Sequence, residues 1–140
     1  MRRQIVLKAV LGIGLGVSLA ACGPKEPEKV EVKLTEFTIE SSRTDFQTGI
    51  PYQFEITNEG AIEHEFMIMP AVGEGSMTME MGELDNTALA MVEADKLPPG
   101  ATQTVTLTFD NPASPGSLEF ACHVKGHYEQ SMRMPITVRP

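Results

Sequence analysis

A short stretch near the C-terminal end brings together several side chains that could bind a metal ion or act as a nucleophile. Cys122, His123, His127 and Met132 lie there, in a chain of 140 residues with only two cysteines and three histidines. Thiolate, imidazole and thioether groups form a soft ligand set that suits copper. A cysteine with a histidine nearby is also the pattern of a nucleophile and its base. The spacing therefore raises three possibilities: a copper site, a zinc site and a catalytic cysteine.

The two rivals of copper fit these residues less well. A catalytic Cys122 would need to be exposed, with His127 as its base and an oxyanion hole beside it. No Asp or Asn suited to orient that base is recognisable in the sequence. Zinc prefers closed sets of Cys, His and carboxylate ligands, in which Met132 would have no role. We therefore expect a protein that binds copper and is not an enzyme.

The elements that must position these side chains are short strands. Apolar and polar residues alternate with period two in six segments: 30–39 with a bulge or break near Thr35-Glu36, 51–57, 62–68, 102–109, 118–122 and 135–138. Turns and loops rich in Gly, Pro and Asn separate several of them, including a loop at 111–116. Such a pattern predicts an all-β sandwich. The acidic, methionine-bearing residues 72–97 are expected to form an irregular or partly helical insertion.

His64 and Cys122 stand out because of the strand faces they occupy. His64 shares its face with Ile62, Phe66 and Ile68, and Cys122 follows Phe120 in the same alternation. Taken alone, each would be interpreted as a satisfied core residue or an inert buried thiol. The loop after Cys122 changes that interpretation, because it adds an imidazole and a thioether near the same strand end. We expect these side chains to meet at one end of the sandwich.

The pattern of these residues resembles a known family. His64 together with Cys122-x4-His127-x4-Met132 resembles the ligand pattern of the cupredoxins, the small blue copper proteins, over roughly residues 31–140. The resemblance implies a Greek-key β-sandwich and one type 1 copper ion. It further implies that His64 and His127 are the imidazole ligands, Cys122 the thiolate and Met132 the axial ligand.

Some positions depart from the family pattern. Lys125 stands where many relatives have a proline, and Ser131 where a glycine often precedes the methionine. Glu65 replaces an asparagine whose backbone amide supports the thiolate, a role that any residue except proline could keep. His123 is expected to point away from the copper, at the surface or beside the ligands. The alternative is that it serves as an extra ligand or an electron exit.

The N-terminal residues are typical of an export signal. Met1-Arg2-Arg3 is followed by a mainly apolar run, and Leu19-Ala20-Ala21-Cys22 resembles the lipobox of bacterial lipoproteins. We expect residues 1–21 to be a signal peptide, Cys22 to be acylated, and residues 22–30 to tether residues 31–140 to a membrane without spanning it. An ordinary signal peptide that leaves Cys22 as a spare thiol is the alternative.

The sequence predicts an exported, lipid-anchored one-electron carrier that exchanges electrons with redox protein partners. We expect a monomer on the periplasmic or cell-surface face of a bacterial membrane, with no nucleic acid bound because the formal net charge is −8. The alternative function is copper buffering, delivery or resistance. Thioethers bind Cu(I), and methionines are frequent between the first histidine and the last strands: Met67, Met69, Met77, Met79, Met81 and Met91. The same side chains could instead fill gaps in the packing.

Overall fold

The computed structural model describes residues 23, 25–72, 83 and 85–140. The strands are β1 Glu28–Thr35, β2 Thr38–Ser41, β3 Asp45–Gln47, β4 Pro51–Asn58, β5 Phe66–Pro70, β6 Ala90–Val92, β7 Thr102–Thr108, β8 Ala113–Ala121 and β9 Arg133–Arg139. They form a four-stranded sheet in the order β2-β1-β4-β7 and a five-stranded sheet in the order β3-β9-β8-β5-β6. The predicted all-β sandwich is confirmed. Within the described ranges, no helix is long and apolar enough to cross a membrane.

The strands pair in both directions. In the first sheet β4 runs parallel to β1 and antiparallel to β7. In the second sheet β8 lies antiparallel between β5 and β9, while the short β3 runs parallel to β9. Parallel neighbours cannot be joined by a tight hairpin, so β1 and β4 are connected through β2 and β3. This route places the short turn between β1 and β2 at a sheet end.

The core lies between the two sheets and follows the period-two pattern. In β1 every second side chain, Val30, Val32 and Leu34, is fully or almost fully buried, and its neighbours are exposed. Aromatic rings fill the centre, where Phe46 contacts Phe54 and Phe120 with ring centroids 5.6 and 6.0 Å apart. Burying one such side chain stabilises the fold by about 1.5–3 kcal/mol. The centre of the sandwich is therefore closely packed.

Two strand ends meet at the place where the predicted ligands lie. Met67 of β5 pairs with Ala121 of β8. Just beyond this pair, Cys122 leaves β8 near Glu65, whose backbone N–H lies 3.4 Å from the Cys122 Sγ atom. This register brings a segment near residue 64 next to the loop that follows β8.

Several strand boundaries differ from the sequence prediction. Residues 62–65 are irregular and β5 begins only at Phe66, so Ile62 is 39% exposed and does not face the core. The bulge or break expected near Thr35 is a two-residue turn, since Thr35 pairs with Thr38. The expected loop 111–116 overlaps β8, whose pairing with β9 shifts register between Ala113 and Leu118.

The segment predicted as an insertion is partly ordinary sheet. Its described residues include β6 and a 3-10 turn at Ala94–Lys96. The strands β3 and β6, each three residues long, were missed because so few positions show no clear alternation. At the other end, β1 begins at Glu28, so the last residues of the predicted tether belong to the sheet.

Candidate metal centre

Three potential metal ligands converge at one end of the sandwich. The ligand atoms of His64, Cys122 and His127 all lie within 4.8 Å of one another, and all three residues are buried. The Cys122 Sγ atom is 3.4 Å from His127 Nδ1 and 4.0 Å from His64 Nδ1. Both imidazoles thus turn the same nitrogen toward the sulfur. Across the part of the chain that the structure describes, no other group of three His, Cys or acidic side chains converges in this way.

Met132 closes the loop that carries two of these ligands. Its carbonyl oxygen accepts the Cys122 N–H at 3.1 Å, and its own N–H donates to the His127 carbonyl at 3.1 Å. The Met132 side chain is fully buried in the same apolar cluster as Cys122. The backbone bonds hold the thiol, imidazole and thioether residues of one loop together, as the sequence predicted.

The loop from Cys122 to Met132 is shaped by tight backbone turns. The His127 N–H donates to the Val124 carbonyl at 2.8 Å, and a 3-10 turn follows at Tyr128–Gln130. Ser131 has a φ of 66°, in the left-handed region. Glycine reaches that region without steric cost and other residues do so rarely. This conformation suits the glycine that often precedes the methionine in cupredoxins. In this chain Ser131 adopts the same turn.

His64 is held by the buried side chain of Asn58, which the sequence predicts only as part of a turn. The Asn58 Nδ2 group donates to the carbonyls of Ile62 at 2.7 Å and Leu97 at 2.8 Å, and its Oδ1 atom accepts the Gly60 N–H at 2.9 Å. The Leu97 carbonyl also accepts the backbone N–H of His64 at 3.2 Å. Asn58 therefore fixes the irregular segment that carries the first histidine. An Asn-x-Gly at a strand end was the available signal.

The electrostatic surroundings of Cys122 combine burial with amide donors. Burial raises the pKa of the Cys122 thiol, while the backbone amides of Glu65 and Val124 oppose that rise. The Glu65 N–H lies 3.4 Å from the Cys122 Sγ atom. The amide support expected at this position is confirmed. Since a metal binds the thiolate and not the thiol, binding here is expected to release a proton.

The surroundings of His64 and His127 favour the neutral imidazole, which is the form that binds a metal ion. Burial lowers the pKa of His127, and burial together with the nearby His127 lowers the pKa of His64. Two neutral imidazole nitrogens, one thiolate and a buried thioether are the donors that a type 1 copper ion takes. The residues therefore fit copper, and the site has the geometry of a type 1 copper site.

His123 lies outside the ligand cluster, on the other face of the sheet. Its ring stacks on Tyr128 with centroids 4.4 Å apart and an interplanar angle of 14°, and it is only 7% exposed. The backbone N–H of His123 donates to the Glu65 carboxylate at 3.3 Å. Of the two expected positions, His123 takes the one beside the ligands and not the one at the surface, because a second small core covers this face.

That second core also accounts for part of the methionine excess. Met67 and Met69 are almost completely buried there with Val72, Ala121 and Tyr128, and Met91 packs against them. Packing is therefore the role of these three side chains. Met77, Met79, Met81, the predicted signal peptide and Cys22 lie outside the described residues.

Comparison of the sequence with known proteins finds two copper proteins that are similar to this chain. No family model matches the chain. Over 91 residues, 65% of this chain, it is 31% identical to the copper-resistant cuproprotein CopI of Rubrivivax gelatinosus, and it spans about half (53%) of that protein. It is 25% identical to the copper-resistant cuproprotein CopI of Pseudomonas aeruginosa, across 79% of this chain and 76% of that protein.

The solved structures show the fold. Reduced auracyanin from Roseiflexus castenholzii superposes with a TM-score of 0.61 and 22% identity, covering 84% of this chain and all of that chain (100%). Auracyanin A, a blue copper protein from Chloroflexus aurantiacus, has a TM-score of 0.57 and 18% identity, covering 81% of this chain and 100% of that chain. The two-sheet sandwich thus has the fold of the auracyanins.

Proposed function

We propose that this chain, a cupredoxin with the geometry of a type 1 copper site, works outside the cytoplasm in copper resistance by binding one copper ion. The observation that carries the proposal is the buried convergence of His64, Cys122 and His127. Support for a resistance role comes from the two curated relatives, both named as copper-resistant cuproproteins.

The ligand roles follow from the donor atoms and their positions. Cys122 supplies the thiolate, His64 and His127 supply their Nδ1 nitrogens, and Met132 supplies a weaker thioether. Bound copper supplies a one-electron change between its two oxidation states. The protein holds the donors in a closely packed frame and excludes water, because Cys122 and Met132 are fully buried. Such a frame favours retention of copper in either oxidation state.

Copper tolerance of cells tests this role directly. We expect a strain without the protein to grow poorly at raised copper, and the unaltered chain to restore growth. Cys122→Ser should fail to restore growth at raised copper. Growth at raised zinc should be the same with the unaltered chain and with Cys122→Ser. Full rescue by Cys122→Ser would contradict a role that works through this site.

One-electron transfer is the second candidate function, and the position of His127 favours it. This ligand is 6% exposed and lies against Phe37 near the surface, so the copper would be close to a docking partner. The net charge of −8 would favour encounter with basic partner surfaces. Fast, reversible oxidation of the copper-loaded protein would support this function. A protein that holds only Cu(I), colourless and unresponsive to oxidant, would exclude it.

Export and lipid anchoring are further parts of the proposal. The Leu19-Ala20-Ala21-Cys22 ending supports acylation of Cys22, with a monomer held at the periplasmic or cell-surface side of a bacterial membrane. Cells grown with radioactive palmitate should label the unaltered chain and Cys122→Ser, but not Cys22→Ser. Label that persists in Cys22→Ser would refute the anchor and leave the copper site unaffected.

A further inference from the structure

One turn that contains no copper ligand lies beside the imidazole rings of both His64 and His127. Glu36 and Phe37 form the two-residue turn between β1 and β2. We propose that this turn positions the two imidazole ligands, with Glu36 accepting the Nε2 proton of His64 and Phe37 covering the ring of His127. The proposal rests on the copper site proposed above and assigns two further residues to it.

The first observation is an unmet donor on His64. Its Nδ1 atom faces the Cys122 sulfur at 4.0 Å. A neutral imidazole that binds metal through Nδ1 carries its proton on Nε2, which must then donate a hydrogen bond. The His64 side chain is fully buried, and its Nε2 atom has no hydrogen-bond partner among the described residues. An acceptor for this proton is therefore needed nearby.

The second observation identifies the acceptor. A Cβ atom on Gly60 would lie 3.1 Å from Glu36 Oε1, 3.1 Å from His64 Nε2 and 3.2 Å from Asn58 Oδ1. These three polar atoms thus converge around the space that the glycine leaves. The Asn58 oxygen already accepts the Gly60 N–H at 2.9 Å. Among these three atoms the Glu36 oxygen is the one that belongs to a carboxylate, and rotation of the Glu36 side chain would let it accept the His64 Nε2 proton.

Glu36 can take this proton while keeping its own support. Its Oε1 atom accepts the Ala61 N–H at 2.5 Å, and a carboxylate has about four acceptor positions. The backbone amides of Ala61 and of Glu36 itself, and to a lesser degree His64, hold the pKa of Glu36 below its usual range. The side chain is therefore an anion at neutral pH. A carboxylate partner fixes the ring orientation of a metal-binding histidine and raises its basicity.

The third observation concerns Phe37 on the other side of the turn. Its ring meets the His127 ring edge-on, with centroids 5.3 Å apart and an interplanar angle of 84°. Phe37 is 41% exposed and has a φ of 61°, a left-handed conformation that is unfavourable for a bulky residue. Such strain persists where the surroundings fix it, and it is frequent at functional sites. Here it places a large apolar ring over a ligand that would otherwise meet water.

The role of Glu36 is tested with a variant whose side chain at this position carries no charge. Glu36→Gln keeps the size of the side chain and weakens the acceptor, so the basicity of His64 should fall. We expect the preference for Cu(II) over Cu(I) to fall by about tenfold, which corresponds to a rise of about 59 mV in the reduction potential. Glu40→Gln is the matched control, because it removes the same charge from an exposed position of the same hairpin. An equal rise in both variants would refute a specific contact with His64.

A second readout does not depend on the potential. NMR of the Cu(I)-loaded protein should show a His64 Nε2 proton that exchanges slowly with solvent, and faster exchange in Glu36→Gln. Gly60→Ala should resemble Glu36→Gln, since the added methyl group occupies the space where the three polar atoms converge. Slow exchange that is unchanged in both variants would overturn the assignment of Glu36 as the acceptor.

The Phe37 arm is tested by copper release. Phe37→Gly relieves the left-handed strain and uncovers His127, so transfer of Cu(I) to bathocuproine disulfonate should accelerate by about 2- to 10-fold. The free energy of unfolding of the copper-free protein should stay the same or rise. Leu89→Ala is the control, because Leu89 is 49% exposed and lies near the far end of β5, beside Pro70. Release at the unaltered rate in Phe37→Gly would refute the covering role.

These outcomes separate the turn from the copper site itself. If the unaltered protein shows no thiolate-to-copper absorption band, the copper site is refuted and the proposal fails with it. If the band is present, and neither the potential in Glu36→Gln nor the release rate in Phe37→Gly changes, the turn alone is refuted.

Discussion

Asn58→Ala is expected to weaken both the fold and the position of His64. The Asn58 side chain is completely buried and makes three hydrogen bonds, to the Ile62 and Leu97 carbonyls and from the Gly60 N–H. Each such bond contributes about 1 kcal/mol net, and more where the partner stays buried without a replacement. In the variant, the Leu97 carbonyl still accepts the backbone N–H of His64. Water can reach the surroundings of Ile62, because that residue is 39% exposed. The expected loss is therefore about 2–4 kcal/mol of unfolding free energy.

Urea denaturation of the copper-free protein measures this loss. The midpoint should fall without a change in the slope against urea, and the melting temperature should fall by roughly 10 °C. Thr57→Val is the matched control, since it removes an exposed hydroxyl contact with Thr102 of 3.0 Å from the neighbouring position. That variant should change the unfolding free energy by less than about 0.5 kcal/mol. If Asn58→Ala costs no more than Thr57→Val, the assigned role of Asn58 is wrong.

Three further predictions concern the site and its surroundings. Met132→Leu keeps a buried apolar side chain and removes the weak axial sulfur, so copper should stay bound with a shifted reduction potential; loss of copper would show that Met132 is more than an axial ligand. Burial lowers the pKa of His64, His123 and His127. The unfolded chain therefore binds more protons below about pH 6.5, and the urea midpoint of the copper-free protein should fall from pH 7.5 to pH 5.5; an unchanged midpoint would contradict this. Copper binding at neutral pH should release about one proton, from the Cys122 thiol whose pKa burial raises, as measured in weakly buffered solution; Cys122→Ser should abolish the release.

The sequence was sufficient to predict the sandwich and the residues of the site because both depend on local signals. Alternation in β1 and β4 marked the core faces, and the structure buries those residues. The spacing from Cys122 to Met132 confines the thiol, imidazole and thioether residues to one short loop. His64 was included because alternation placed it on one face with Phe66 and Ile68; residues 62–65 are irregular instead, yet the His64 side chain is buried at the site. These inferences need little knowledge of how distant segments pack.

The remaining features depend on contacts between distant segments, which periodicity does not encode. Glu36 and Gly60 meet beside His64 only because β1 and β4 pair in register and their ends coincide. The position of His123, at the surface or beside the ligands, stayed open because alternation predicts a face but not what covers it, and Tyr128 covers that face. Asn58 was visible as part of a turn, yet its bond to Leu97 spans 39 residues of sequence. Side chains that orient ligands are thus harder to predict from one sequence than the ligands themselves.

The absorption spectrum of the copper-loaded protein tests the central claim most directly. Titration of the copper-free protein with Cu(II) should produce an intense visible band from the Cys122 thiolate to copper, which saturates at one copper ion per chain. His123→Ala should keep that band, because His123 lies outside the ligand cluster. A colourless product, or a band that survives in Cys122→Ser, would contradict the assignment of His64, Cys122, His127 and Met132 as a type 1 copper site.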